Sequence, residues 1–160
     1  MYRRVIARVA CVAAFGFTSA CGTEPSVLHL DIALDKEVVA ISDSVHLTLT
    51  LSNVSPRTVR VVAADAYGIC MHAFEVFDAQ ERRVAPPSAF CLAAVAFIGP
   101  SFVELGPLER ITYRDWWNVG GSRVDEQPLT PGIYRIRGAV GGDGGLVHSN
   151  AITVGVFPDN

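Results

Sequence analysis

Apolar and polar residues alternate in short runs along most of this chain, and no helical period is sustained after the first twenty positions. Leu28, Leu30, Ile32 and Leu34 alternate with His29, Asp31 and Ala33, the period of a strand with one buried face. Residues 36–41 continue as a short second piece, and Ser42-Asp43-Ser44 makes a turn. Val45, Leu47, Leu49 and Leu51 then alternate with His46, Thr48, Thr50 and Ser52 in the clearest strand of the sequence. Asn53-Val54-Ser55-Pro56 breaks it.

Further strands are predicted at residues 58–63, around Phe74, Val76 and Phe77 with a hairpin partner at 82–84, at 102–105, at 111–117, at 133–137 and at 151–156. Pro86-Pro87, Gly99-Pro100 and Gly106-Pro107 punctuate the middle of the chain. Residues 91–97 are apolar without a clear period, and residues 118–127 read as a loop. The Gly141-Gly142-Asp143-Gly144-Gly145 run reads as a flexible connection. About eight short strands with turns between them predict an all-β fold, a sandwich of antiparallel sheets, over residues 27–157.

The N-terminal segment has a different character. Arg3, Arg4 and Arg8 precede an apolar run at 9–17 and a small-residue exit, Thr18-Ser19-Ala20, followed by Cys21. That order is a secretory signal peptide over residues 1–20, and the run is too short to span a bilayer, which takes about 20 residues. The exit resembles a bacterial lipobox, with Thr18 where a leucine-like residue is usual. On that reading Cys21 carries lipid, and residues 21–26 tether the domain to a membrane. The protein is then exported and held at the cell envelope; simple secretion or a soluble periplasmic life is the alternative.

Cysteine usage agrees with export. Of four cysteines, Cys11 lies in the leader and Cys21 is consumed by lipid, leaving Cys70 and Cys91. An even pair in an oxidising compartment reads as a disulfide. The rival is a metal site built on Cys70, His72 and Cys91, but a structural zinc site needs a fourth ligand in close paired spacing, so no metal is expected.

Half of the residues are hydrophobic and 18% are charged, enough apolar material for one core. Losing the leader arginines lowers the basic count from 13 to 10 against 16 acidic residues. An acidic domain with scattered arginines does not suit nucleic acid, whose phosphates need clustered positive charge. His29, His46, His72 and His148 are scattered, three of them fall on solvent faces or in turns and read as surface histidines, and Asp65 and Asp78 sit in turns. No nucleophile elbow is present, and the glycine run lacks the Lys-Ser/Thr of a phosphate loop. Neither a catalytic residue nor a cofactor is expected.

Pro131-Gly132-Ile133-Tyr134, followed by Ser149-Asn150-Ala151-Ile152-Thr153-Val154, resembles bacterial immunoglobulin-like extracytoplasmic domains. With Leu47-Thr48-Leu49-Thr50-Leu51-Ser52-Asn53 and the aromatic strand at Trp116, the likeness narrows to the BsuPI-type intracellular proteinase inhibitor domain, over residues 38–156. The resemblance implies an immunoglobulin-like sandwich and, as one function, protease inhibition outside the cytoplasm. The leader and the two cysteines depart from an intracellular inhibitor, and no inhibitory residue carries over. Tyr134 either bonds back to a corner, as immunoglobulin-like folds often arrange, or packs as a plain core tyrosine.

Two surfaces are candidates for binding. Trp116 and Trp117 are neighbours on a strand, so they face opposite ways; one fills the core and the other lies on the far side of the sheet. The segment from Cys70 to Cys91 is irregular and apolar, with Phe90 and Leu92 and, just beyond, Phe97 and Ile98. The function expected is a non-catalytic binding or assembly module for an unknown protein or envelope partner.

Overall fold

Two sheets pack face to face in the computed structural model, which describes residues 27–66, 72–85, 101–142 and 144–159. The strands are β1 Leu28–Leu34, β2 Val38–Ala40, β3 Ser44–Asn53, β4 Val59–Val62, β5 Phe74–Phe77, β6 Arg83–Val84, β7 Phe102–Leu105, β8 Arg110–Asn118, β9 Arg123–Val124, β10 Gln127–Pro128, β11 Gly132–Gly142 and β12 Gly145–Phe157. A 3-10 turn covers Ala64–Ala66. The first sheet has the order β1-β3-β8. The second runs β2-β12-β11; β5 and β4 then pair in succession with β11, β6 lies beside β5, and β7 beside β4. All pairings are antiparallel except β2 with β12.

This order defines an immunoglobulin-like sandwich. Strands β1, β3 and β8 take the places of A, B and E, and β11 and β12 those of F and G. Strand β2 crosses over to run parallel to β12. Strands C and C′ are each in two pieces: β4 and β5 make the first, β6 and β7 the second. Counted as whole strands among the described residues the sandwich has eight, in line with the turn spacing, plus the small β9–β10 hairpin.

Period two carries straight into burial. Val45, Leu47, Leu49 and Leu51 are at most 1% exposed, and they meet Tyr113, Trp117, Ile136, Val140 and Val154 in one core. Each such side chain contributes about 1.5–3 kcal/mol on burial, which is why a one-residue slip in register is excluded. Asn53 ends β3 and is itself fully buried. Its Nδ2 donates to the carbonyls of Arg57, Leu105 and Gly106, and its Oδ1 accepts from the N–H and hydroxyl of Ser55. A residue legible in the sequence as a strand breaker therefore also pins β3 to the end of β7.

Two expectations need correction. Residues 118–127 are not wholly loop: Val124 and Gln127 pair around a turn at Asp125-Glu126, and both turn residues have positive φ (50° and 67°). The Gly141–Gly145 run is not a loose connection. The β11–β12 ladder continues through Gly141 with Leu146 and Gly142 with Gly145, because glycine keeps its backbone donor and acceptor while one tight turn reverses the chain. A bulge between Arg137 and Ala139 kinks β11. At Gly138 a Cβ would lie 2.5 Å from Leu49 Cδ2, so any larger residue there must displace the Leu49 side chain.

Candidate functional site

Strand β8 forms one edge of the first sheet, and its alternation decides which tryptophan is free. Ile111, Tyr113, Asp115 and Trp117 point inward; Arg110, Thr112, Arg114, Trp116 and Asn118 point outward and are exposed. Trp117 is fully buried, its ring 5.9 Å from that of Tyr134, and its Nε1–H donates to Ser122 Oγ at 2.8 Å. As a binding-surface candidate it is therefore excluded, since its face is the core face. Trp116 remains 46% exposed, directly across from His46 on β3.

The inward face also holds a carboxylate. The Asp115 side chain is fully buried between Tyr113 and Trp117 in the strand pattern. Its Oδ2 accepts from the Ala73 N–H at 2.8 Å, its Oδ1 accepts from the Trp116 N–H at 2.8 Å, and His72 Nδ1 lies 3.1 Å from Oδ1. A carboxylate offers only acceptors, so His72 donates from Nδ1. The His72 ring packs on Phe74 with centroids 5.0 Å apart. Asp115 thus joins the edge strand of one sheet to the start of β5 in the other. The surface reading of the histidines does not hold for His72: its side chain is only 19% exposed. The signal was present, because a carboxylate on the core face of a strand demands buried donors.

Beside this centre the chain makes two excursions. One leaves strand C between β4 and β5, the other leaves C′ between β6 and β7. Val62 pairs with Phe102 and Val76 with Val84, so both depart from neighbouring strands at the same level. Their roots are tied together: the Ala63 N–H donates to the Ser101 carbonyl at 2.9 Å, and Ser101 Oγ donates to Asp65 Oδ1 at 3.0 Å. Cys70, Phe90, Cys91, Leu92, Phe97 and Ile98 lie outside the described residues, as does Cys21.

The outer face of the second sheet carries a separate polar cluster. Glu75 pairs across the ladder with Arg137 at 2.7 Å, with Arg83 and His148 at 3.6 and 3.7 Å. Arg137 also lies over the Phe77 ring at 4.9 Å. The Arg135–Glu81 pair continues the row. These groups satisfy one another across the strands, which explains them as sheet surface. Asp78 has a structural role too. Its Oδ1 accepts from the N–H groups of Gln80 and Arg82, and its Oδ2 accepts from the Arg82 guanidinium. Burial pushes the carboxyl up, but these hydrogen bonds and the Arg82 charge outweigh it and hold the pKa below its ordinary 3.8.

No family model matches the chain, and no curated protein sequence matches it. Solved structures share its general outline at low identity. The CARDB domain of the PF1109 protein from Pyrococcus furiosus, in complex with di-metal ions, is 16% identical with a TM-score of 0.43, covering 82% of this chain and 94% of that one. A beta-glucosidase from Listeria innocua in complex with glucose is 15% identical with a TM-score of 0.44, covering 81% of this chain. The alkylpurine DNA glycosylase AlkC from Pseudomonas fluorescens, bound to DNA containing an abasic site analog, is 12% identical with a TM-score of 0.47. This chain spans only 16% and 30% of the latter two.

Proposed function

We propose that this protein is a non-catalytic binding module, displayed at the cell envelope by lipid on Cys21, which engages a protein partner along the β8 side of its sandwich. One observation carries the reading. Trp116 stands 46% exposed on the outer face of an edge strand whose inner side is bonded through Asp115 to the start of β5. A tryptophan is the side chain with most to gain from burial, and half-exposed anchors of this kind dominate protein interfaces. The excursions add apolar residues, Phe90, Leu92, Phe97 and Ile98. A Cys70–Cys91 bond between them lowers the ordering cost of a complex by fixing the region beforehand.

The support for envelope display is the charged start, apolar run and Thr-Ser-Ala-Cys exit, followed by a short polar stretch that keeps any partner near the membrane. Stable anchoring requires more than one acyl chain, which a triacylated cysteine supplies.

The test is capture from crosslinked cells by the full chain, its Trp116→Ala variant, and a variant with Phe90, Leu92, Phe97 and Ile98 changed to alanine. Loss of a defined partner in at least one variant, with melting unchanged, is the expected result. Equal capture by all three proteins removes this side as the site. Turnover of a small substrate by the purified protein overturns the non-catalytic reading, and an unmodified N-terminus at residue 21 or beyond in mass spectra overturns the anchor.

A further inference from the structure

Among the described residues strand β8 is an unpaired sheet edge, and its hydrogen-bonding phase is fixed at both ends. The Asn53 N–H donates to the Glu109 carbonyl, and the Val119 N–H donates to the Asp43 carbonyl. Odd-numbered residues of β8 therefore bond to β3, and the backbone groups of Arg110, Thr112, Arg114 and Trp116 point away from it. The Trp116 N–H is taken by Asp115. Among the described residues, the N–H and C=O of Thr112 and Arg114 and the C=O of Trp116 have no partner. In the strand order of immunoglobulin-like domains a fourth strand, D, lies at this edge; among the described residues the first sheet has three strands and none in that place.

The outward side chains show what such a strand must carry. Arg110 and Arg114 are exposed, and among the described residues neither makes an ion pair. Across the ladder they face Ser52 and Thr48 on β3, and Trp116 faces His46. No carboxylate from β3 offsets them. A second copy of β8 would bring arginine against arginine in an antiparallel pair, which is unfavourable. On the inner side, half-buried Ile111 packs on the core.

We propose that the β8 edge accepts an extended segment of a partner protein as an added antiparallel strand, with acidic residues at alternate positions over Arg110 and Arg114 and apolar residues on the opposite face. Backbone bonds to Thr112 and Arg114 supply affinity, and the alternating side chains supply selection. Trp116 covers the acidic face at one end. This inference rests on the binding-module reading and names the chemistry of its partner.

The test uses the full chain in mild detergent and a capped peptide, Thr-Glu-Val-Glu-Val-Glu-Thr, titrated calorimetrically. Controls are the same peptide with lysine for glutamate, and the glutamate peptide N-methylated at alternate amides. The glutamate peptide should bind about tenfold more tightly than either control. Arg114→Glu should lower that affinity about tenfold. Thr112→Pro should abolish it, since the Thr112 N–H points away from β3 and an edge proline leaves the existing ladder intact. Equal affinity for the glutamate and lysine peptides overturns the proposal, as does binding undiminished in Arg114→Glu. A dimer in sedimentation that Thr112→Pro dissolves also overturns it, assigning the edge to a second copy. If Arg114→Glu and Thr112→Pro still capture the envelope partner as wild type does, the module reading stands and this edge is not its site.

Discussion

His72 Nδ1 lies 3.1 Å from the buried carboxylate of Asp115, and the contact joins the two sheets where the two excursions leave the second one. Three donors converge on Asp115: His72, the Ala73 N–H and the Trp116 N–H. Removing the acceptor strands all three. Asp115→Ala should cost about 3–5 kcal/mol in urea denaturation, and Asp115→Asn about 1–3 kcal/mol, because an amide presents one acceptor instead of two. His72→Ala should cost about 1 kcal/mol. The same ranking without convergence on one site would be additive in the double variant, whereas coupling of Asp115 and His72 should make it clearly less than additive.

Tyr134 settles the alternative left open for it in the sequence. Its hydroxyl donates to the Thr130 carbonyl, four residues upstream, at 2.6 Å, while its ring packs on Trp117. It is both a corner tyrosine and a core residue. Tyr134→Phe should keep the ring contact and lose only the bond, lowering stability by about 0.5–1.5 kcal/mol with an unchanged denaturant slope.

The Asp125-Glu126 turn has positive φ at both central residues, the conformation for which Asn-Gly and Asp-Gly are preferred. A glutamate there pays for a left-handed backbone that glycine adopts freely. Glu126→Gly should raise the melting temperature, with a gain of a few tenths to about 1 kcal/mol. Asp125 is retained because Arg82 Nη1 bonds to it at 3.0 Å. A lower melting temperature would show that the turn is not strained.

Asp78 links stability to acid. Its pKa in the folded chain lies below the ordinary 3.8, against the opposing effect of burial, because the Gln80 and Arg82 N–H groups and the Arg82 guanidinium hold the ionised form. A depressed folded-state pKa means stability that is fully present above the unfolded value and lost as pH falls through the folded one. Wild type should therefore lose its advantage over Asp78→Asn as pH drops from about 5 to below the ordinary carboxyl range. A difference between the two proteins that is constant with pH would contradict this.

The Cys70–Cys91 bond is a prediction of cysteine count and compartment. Protein taken from the envelope should be lighter by two hydrogens than its reduced form. Reduction should cost on the order of 3 kcal/mol in the chain-entropy treatment, a large part of the ~5–15 kcal/mol typical of a domain. Free thiols at both positions in that material would rule the bond out.

Alternation along the chain was sufficient for most of the strands, for the core face of β3 and for placing Ile111, Tyr113, Asp115 and Trp117 together on one face of β8, because side-chain direction in a strand has period two whatever the neighbours are. It was sufficient too for the turn at Asn53 and for the hairpin of β5 with β6. Which face of β8 met the core was not legible, since both faces carry a tryptophan; only packing against Tyr134 and Ser122 buried Trp117 and left Trp116 outside. His72 and Asp115 are 43 residues apart, and no local pattern joins them. The split of strands C and C′ was likewise invisible, because each half has the length of an ordinary short strand and only the ladder to β11 shows β4 and β5 to be one line. Local periodicity is a property of the backbone and survives in the sequence. The pairing of distant strands, and so the meeting of a histidine with a carboxylate or the opening of a sheet edge, depends on long-range contacts that exist only once the two sheets have closed on their core.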